Sequence, residues 1–183
     1  MNVGILLLRL ALAVILVAHS SQKTLGWFHG LGIEKQSAWF ANLGLKPGRP
    51  FVTVAATAEV LAAISIATGF LTPLGALLAA GTMIVAGMTM HLNAGRIWNA
   101  AGGGEYPYML AVIAIVIAFV GPGRFSLDQL IVRAVPSFSH LDSGALVGVI
   151  VAVVAVLGAI PFAMVIVRSK RAATVAGDAD AQS

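Results

Sequence analysis

Cysteine is absent from all 183 residues. That excludes disulfides, thiol nucleophiles, cysteine-ligated iron–sulfur clusters and any dithiol relay within the chain, and it leaves the redox compartment unindicated. Charge is scarce as well. Asp, Glu, Lys and Arg together make up 10% of the sequence, against about 25% in a soluble domain. A soluble chain of this length would lack the polar surface to cover its core. Local metal-ligand spacings such as HxxxH or ExxH are missing, so no metal site is expected. The glycines of "NAAGGGEYP" follow no strand and make no phosphate loop.

What is present is apolar. Hydrophobic residues reach 59% and the mean hydropathy is +0.96, the composition of an integral membrane protein. The net charge of +4 and pI near 10.0 would suggest nucleic acid in a soluble protein. Here the basic residues lie between apolar runs, so their expected partners are lipid head groups and not nucleic acid. A spanning helix needs about 20 mostly apolar residues. Five segments approach that length: Val3–His19, Phe51–Phe70, Leu74–His91, Tyr106–Val120 and Gly144–Val167. Thr72-Pro73 separates the second from the third, and Gly121-Pro122-Gly123 ends the fourth, because proline cannot continue a helix. The first segment carries Arg9 inside its apolar run rather than ahead of it, so it is expected to stay in the mature protein and not to be a cleaved signal.

The predicted fold is all-α: an antiparallel four-helix transmembrane bundle over 1–135, with a fifth transmembrane helix at 144–168 after a linker at 136–143. Residues 21–50 are expected to form an interfacial cap. They hold Trp27, Phe28, Trp39 and Phe40, aromatics of the kind that collect at the membrane interface, and a short helix from Glu34 to Leu43 that ends at Gly44 and Pro47. The tail at 169–183 opens with basic residues, then turns small and polar, which predicts disorder. With five alternating spans, Lys23, Lys35, Lys46, Arg49, Arg96, Arg168, Lys170 and Arg171 share one side, and Arg124 and Arg133 lie on the other. The positive-inside rule then places the C-terminus in the cytoplasm and the N-terminus outside.

The same alternation gathers the ionisable residues. His19 and Lys23 end the first span, Glu59 lies inside the second, His91 and Arg96 close the third, and Glu105 and Tyr106 open the fourth. At about 100° per residue, Arg9, His19 and Lys23 fall within roughly 80° of one another. A charged side chain near the bilayer centre costs at least about 2.5 kcal/mol and normally faces a bundle interior with a partner. Lys23, His19, His91 and Arg96 are the candidate partners of Glu59. The expectation is a polar pocket under the aromatic cap. Glu59 and His91 are the candidate proton-handling groups, and Arg9, His19, Lys23, Arg96, Glu105, Tyr106 and Trp27 the candidate ligand-binding ones. The plainer reading of Glu59 is a buried ion pair that fixes helix register.

In order, "LLRLALAVILVAH", Lys23, "GWFHGLG", "AWFANLGLKP", "AEVLAA", "GFLTPLGALL", "MTMHLNAG", "GGGEYPYML" and "GPGRFSLDQLI" resemble the DoxX family of small bacterial membrane proteins over about residues 4–132. Ser20 and Ala62-Ala63 stand where glycines are expected, and the fifth span lies outside the family's four-helix unit. The family takes its name from a small subunit of an archaeal thiosulfate:quinone oxidoreductase. Many members are described as quinone-linked redox proteins, and others are tied to oxidative or thiol stress beside partner proteins. The resemblance therefore implies a multi-pass subunit of a redox complex in the bacterial inner membrane. Its ligand would be a quinone or a similar amphipathic molecule, with the cofactor itself left open, and its partners membrane lipids, other proteins and, as a further option, its own copies. An assembly scaffold without catalysis is the competing class, and a small transporter or lipid carrier the weaker one.

Overall fold

A computed structural model describes residues 2–135, 137 and 144–180, with side chains as far as 175. The chain is helical, with no strand among the described residues. Helix α1 spans Asn2–Thr24, α2 Gly32–Asn42, α3 Gly48–Thr68 and α4 Thr72–Ala94; a 3-10 turn at Asn99–Ala101 follows, then α5 Glu105–Val120, α6 Leu127–Ala134 and α7 Ala145–Asp180. Of these, α1, α3, α4 and α7 are long and apolar enough to cross a membrane. Helix α5 is apolar but has 16 residues, about 24 Å of helix at 1.5 Å per residue, less than the roughly 30 Å hydrocarbon core.

The boundaries have local causes. Gly69 ends α3 in the left-handed conformation, with φ 64°, which glycine adopts without strain. Pro73 sits in the first turn of α4, where its missing N–H costs nothing. Ser126 caps α6 by accepting the Gln129 N–H at 3.2 Å. The helix expected at Glu34–Leu43 is observed at Gly32–Asn42. The tail departs from expectation: α7 continues as helix to Asp180, through the segment predicted to be disordered. Its alanines favour helix strongly, so a small and polar composition did not mean loss of structure there. The rest of the predicted tail, 181–183, and the predicted linker apart from residue 137 and the adjoining Gly144 lie outside the described residues.

Helix α3 packs on α1, α2 and α4, and α4 packs on α5 and α7. The central core joins Leu12 and Leu16 of α1, Ile66 of α3, Met83 of α4 and Ile117 of α5. Between these, Ala62, Ala63, Ala79, Ala80, Ala111 and Ala114 are all buried. Small residues let helix backbones approach closely, the usual means of helix association in lipid. A Cβ on Gly87 would lie 2.8 Å from the Tyr108 ring, and one on Gly148 would collide with Phe119. The outward faces carry exposed Val, Leu and Ile, suited to acyl chains.

One end of the assembly is tied by two charges. Arg9, fully buried, donates from Nε to Ile66 O at 2.7 Å and from Nη2 to Ala67 O at 2.8 Å. Its Nη1 donates to Pro122 O at 2.6 Å and Phe125 O at 2.9 Å. Asp128 accepts the Leu71 N–H at 2.8 Å and the Thr72 N–H at 2.9 Å. A cation thus meets the C-terminal carbonyls of α3, and an anion meets the N-terminal amides of α4, the signs that the helix dipoles favour.

Candidate functional site

At the other end, a cavity of about 860 Å³ lies among α2, α3, α4 and α7 and reaches the end of α1. Its size is near the upper end for small-molecule sites, roughly 300–1,000 Å³. The wall is mainly apolar. Phe51 and Ala55 come from α3, Leu78 and Met90 from α4, and Val154 and Phe162 from α7. Trp39 and Phe40 of α2 cover one side. Phe51 and Phe162 meet edge to face, with ring centroids 6.1 Å apart.

Glu59 lies about 16 Å along α3 from Gly48, at about 1.5 Å per residue, and is 1% exposed. It lines the cavity together with His19 and Lys23. Lys23, at the last turn of α1, points its ammonium to Glu59 Oε1 in a hydrogen-bonded ion pair. The pairing is possible because a lysine stem reaches inward from a helix end while its carbon chain stays on apolar surface. Glu59 Oε2 is buried and has no hydrogen-bond partner among the described residues. His19 Nδ1 lies 3.2 Å from Gln22 Oε1, and its ring packs on Tyr106 at 5.8 Å between centroids. Two cavity-lining threonines spend their hydroxyls within α4: Thr82 donates to Leu78 O at 2.8 Å and Thr89 to Val85 O at 2.7 Å. Among the described residues no group of three His, Asp or Glu side chains converges on a metal-binding point.

The expected site residues separate into three groups. Glu59, Lys23 and His19 come together at the cavity. Arg9 does not: its guanidinium is taken up by backbone carbonyls at the opposite end, which corrects its assignment as a ligand-binding group. His91, Arg96, Glu105, Tyr106 and Trp27 are not among the cavity-lining residues. Glu105 instead accepts the Asn99 N–H at 3.0 Å and braces the loop before α5. Trp27 packs edge to face on Phe28, and Arg96 is exposed. Of the four partners expected for Glu59, Lys23 is the one that meets it. Sequence reasoning missed Asp128 and every contribution of α7. An aspartate two residues into an amphipathic helix was the only available signal for the first. For the second there was none, since α7 offers no polar residue to the cavity.

These features define a class: an all-helical membrane protein with an acid–base pair buried beside an apolar cavity. A comparison with family models gives the particular kinship. The DoxX model matches residues 4–92, just under half of the chain, and over that stretch the chain is similar to the DoxX family. The match takes in α1 to α3 and nearly all of α4, with His19, Lys23 and Glu59. It stops short of the expected residue 132, so α5, α6 and α7 lie beyond it. No curated protein matches the chain, and no solved structure does.

Proposed function

We propose that this chain is the membrane subunit of a quinone-linked redox complex, with the cavity beside Glu59 receiving the head of a quinone-like amphiphile. One observation carries the reading: a buried carboxylate in an ion pair leaves one oxygen unpartnered beside a large apolar cavity. The residues fit such a group. The apolar wall suits its tail, the Lys23 ammonium can donate to a head-group oxygen, and Glu59 Oε2 can accept from a hydroxyl. A bound quinone would supply paired electron and proton chemistry at its two oxygens. The chain's part is to hold the head, exclude water and move a proton at Glu59 Oε2, with His19 one helical turn from Lys23 as the relay toward the membrane surface. Electrons would come from a partner protein, since no cysteine is available to carry them.

In this reading α1, α3, α4, α5 and α7 cross the membrane as a four-helix bundle plus one, and α2 lies at the interface as the cap. The basic excess places the C-terminus in the cytoplasm. Purification with native lipid tests the proposal. Quinone should co-extract with the protein, and Glu59→Gln should abolish quinone-coupled activity in membranes. Absence of quinone together with undiminished activity in the variant refutes it.

The Lys23–Glu59 pair joins α1 to α3, which also favours a second reading, an assembly scaffold in which the pair fixes packing alone. A scaffold should pull down a defined complex in mild detergent with the pair replaced by Met and Gln. A redox subunit should do so while losing turnover.

A further inference from the structure

Glycines in these helices differ in what surrounds them, and Gly4 of α1, on the outer face, also has open space around it. Gly75, Gly87 and Gly148 are packed so tightly that a Cβ would collide with Ser65, Tyr108 and Phe119 respectively. That is the ordinary reason for glycine in a membrane helix. Gly81 of α4 and Gly158 of α7 have no such reason. A Cβ at either would meet nothing within 4 Å, and both line the cavity. Glycine weakens a helix relative to alanine, and neither position uses it for helix contact or for a left-handed turn. Both leave open space at the cavity wall, one on α4 and the other on α7. The second observation is Glu59 Oε2, buried at the same cavity and without a donor. An unpartnered buried acceptor is costly unless a hydrogen-bond donor reaches it.

We infer that α4 and α7 form a slot for the hydrocarbon tail of a single-chain amphiphile whose head carries a hydrogen-bond donor, the tail passing Gly81 and Gly158 and the head donating to Glu59 Oε2. Helix α7 is thereby part of the binding site, although it lies outside the stretch that matches the family. Carbonyl-only heads satisfy Lys23 but leave Glu59 Oε2 bare, so a hydroxyl-bearing head binds better than its oxidised counterpart. The inference rests on the cavity receiving an amphiphile, and not on that amphiphile being redox-active.

The test uses the full chain in nanodiscs and measures equilibrium binding of radiolabelled decyl-hydroquinone, tail-less hydroquinone and dodecanol. Decyl-hydroquinone should bind at least tenfold more tightly than the tail-less compound. Gly158→Leu and Gly81→Leu should each remove that advantage while the melting temperature holds or rises, because leucine favours helix over glycine. A purely structural glycine would give the reverse. Graded Gly158→Ala and Gly158→Val variants, which fill the slot by steps, decide the matter if leucine prevents folding. Glu59→Gln should weaken both hydroquinones. If the glycine variants keep wild-type affinity for decyl-hydroquinone while Glu59→Gln loses it, the slot is refuted and the head site stands. If dodecanol binds as tightly as decyl-hydroquinone and depends on both glycines, the slot stands and the redox reading fails. If neither tailed compound binds, both are overturned.

Discussion

Replacing Lys23 by methionine leaves Glu59 with no cation against it, because Lys23 is its one ion-pair partner among the described residues. Methionine keeps the apolar stem and removes the ammonium, so the loss is electrostatic rather than a packing defect. Two magnitudes compete. A polar contact between membrane helices is worth on average about 0.6 kcal/mol and at most about 1.7 kcal/mol. Stranding a buried charge by removing its partner costs about 3–5 kcal/mol. Glu59 is 1% exposed, whereas the Lys23 side chain is 16% exposed, so water relieves part of the penalty and the lower end, about 3 kcal/mol, is expected. At about 1.4 kcal/mol per tenfold change, that is more than a hundredfold in the unfolding equilibrium. Equilibrium unfolding in mixed micelles measures it. Lys23→Met combined with Glu59→Gln should be more stable than Lys23→Met alone, since the double variant has no stranded charge; the cycle isolates the coupling. The reasoning is refuted if Lys23→Met and Glu59→Gln each cost under about 1 kcal/mol and simply add, the range of an ordinary hydrogen bond.

Other perturbations probe the opposite end and the long helix. Arg9→Met leaves the carbonyls of Ile66, Ala67, Pro122 and Phe125 without their donor; a loss above about 4 kcal/mol is expected, seen as aggregation on gel filtration in detergent. Arg9→Lys should restore only part of it, since an ammonium lacks the planar fork that reaches separated carbonyls. Asp128→Ala uncaps α4 and should cost about 1 kcal/mol, with Asp128→Asn recovering roughly half; melting curves discriminate the two. Lys170 donates to Leu92 O and Asn93 O at the end of α4, but the site is exposed, so Lys170→Ala should cost under about 1 kcal/mol and raise protease sensitivity after α4.

How much of this could be read in advance depends on the range over which each group finds its partner. The burial of Glu59 was legible because an apolar run surrounds it, and Lys23 was a legible partner because it ends an adjacent span. Arg9 was assigned to the ligand because helical geometry puts it on the same stripe as His19 and Lys23. Its actual partners are carbonyls 57 to 116 positions away, and main-chain acceptors carry no side-chain signature. Asp128 was hidden for the same reason, as its targets are amides across a turn. His91 shows a finer limit. Its neighbours Thr89 and Met90 line the cavity, and one further step of about 100° along the helix carries His91 off that face. The role of α7 had no signal at all, since uniformly apolar helices show no preferred face.

The layer of Leu12, Leu16, Ala62, Ala63, Ile66 and Met83 separates the two charged ends of the molecule. Along α1 the step from Arg9 to His19 is about 15 Å, and the intervening side chains offer nothing that could pass a hydrogen ion onward. On the proposed reading, a proton taken up at Glu59 returns to the side of that layer from which it came. On that reading the chain is a one-sided vestibule, and any energy a redox complex stored across the bilayer would be generated outside it.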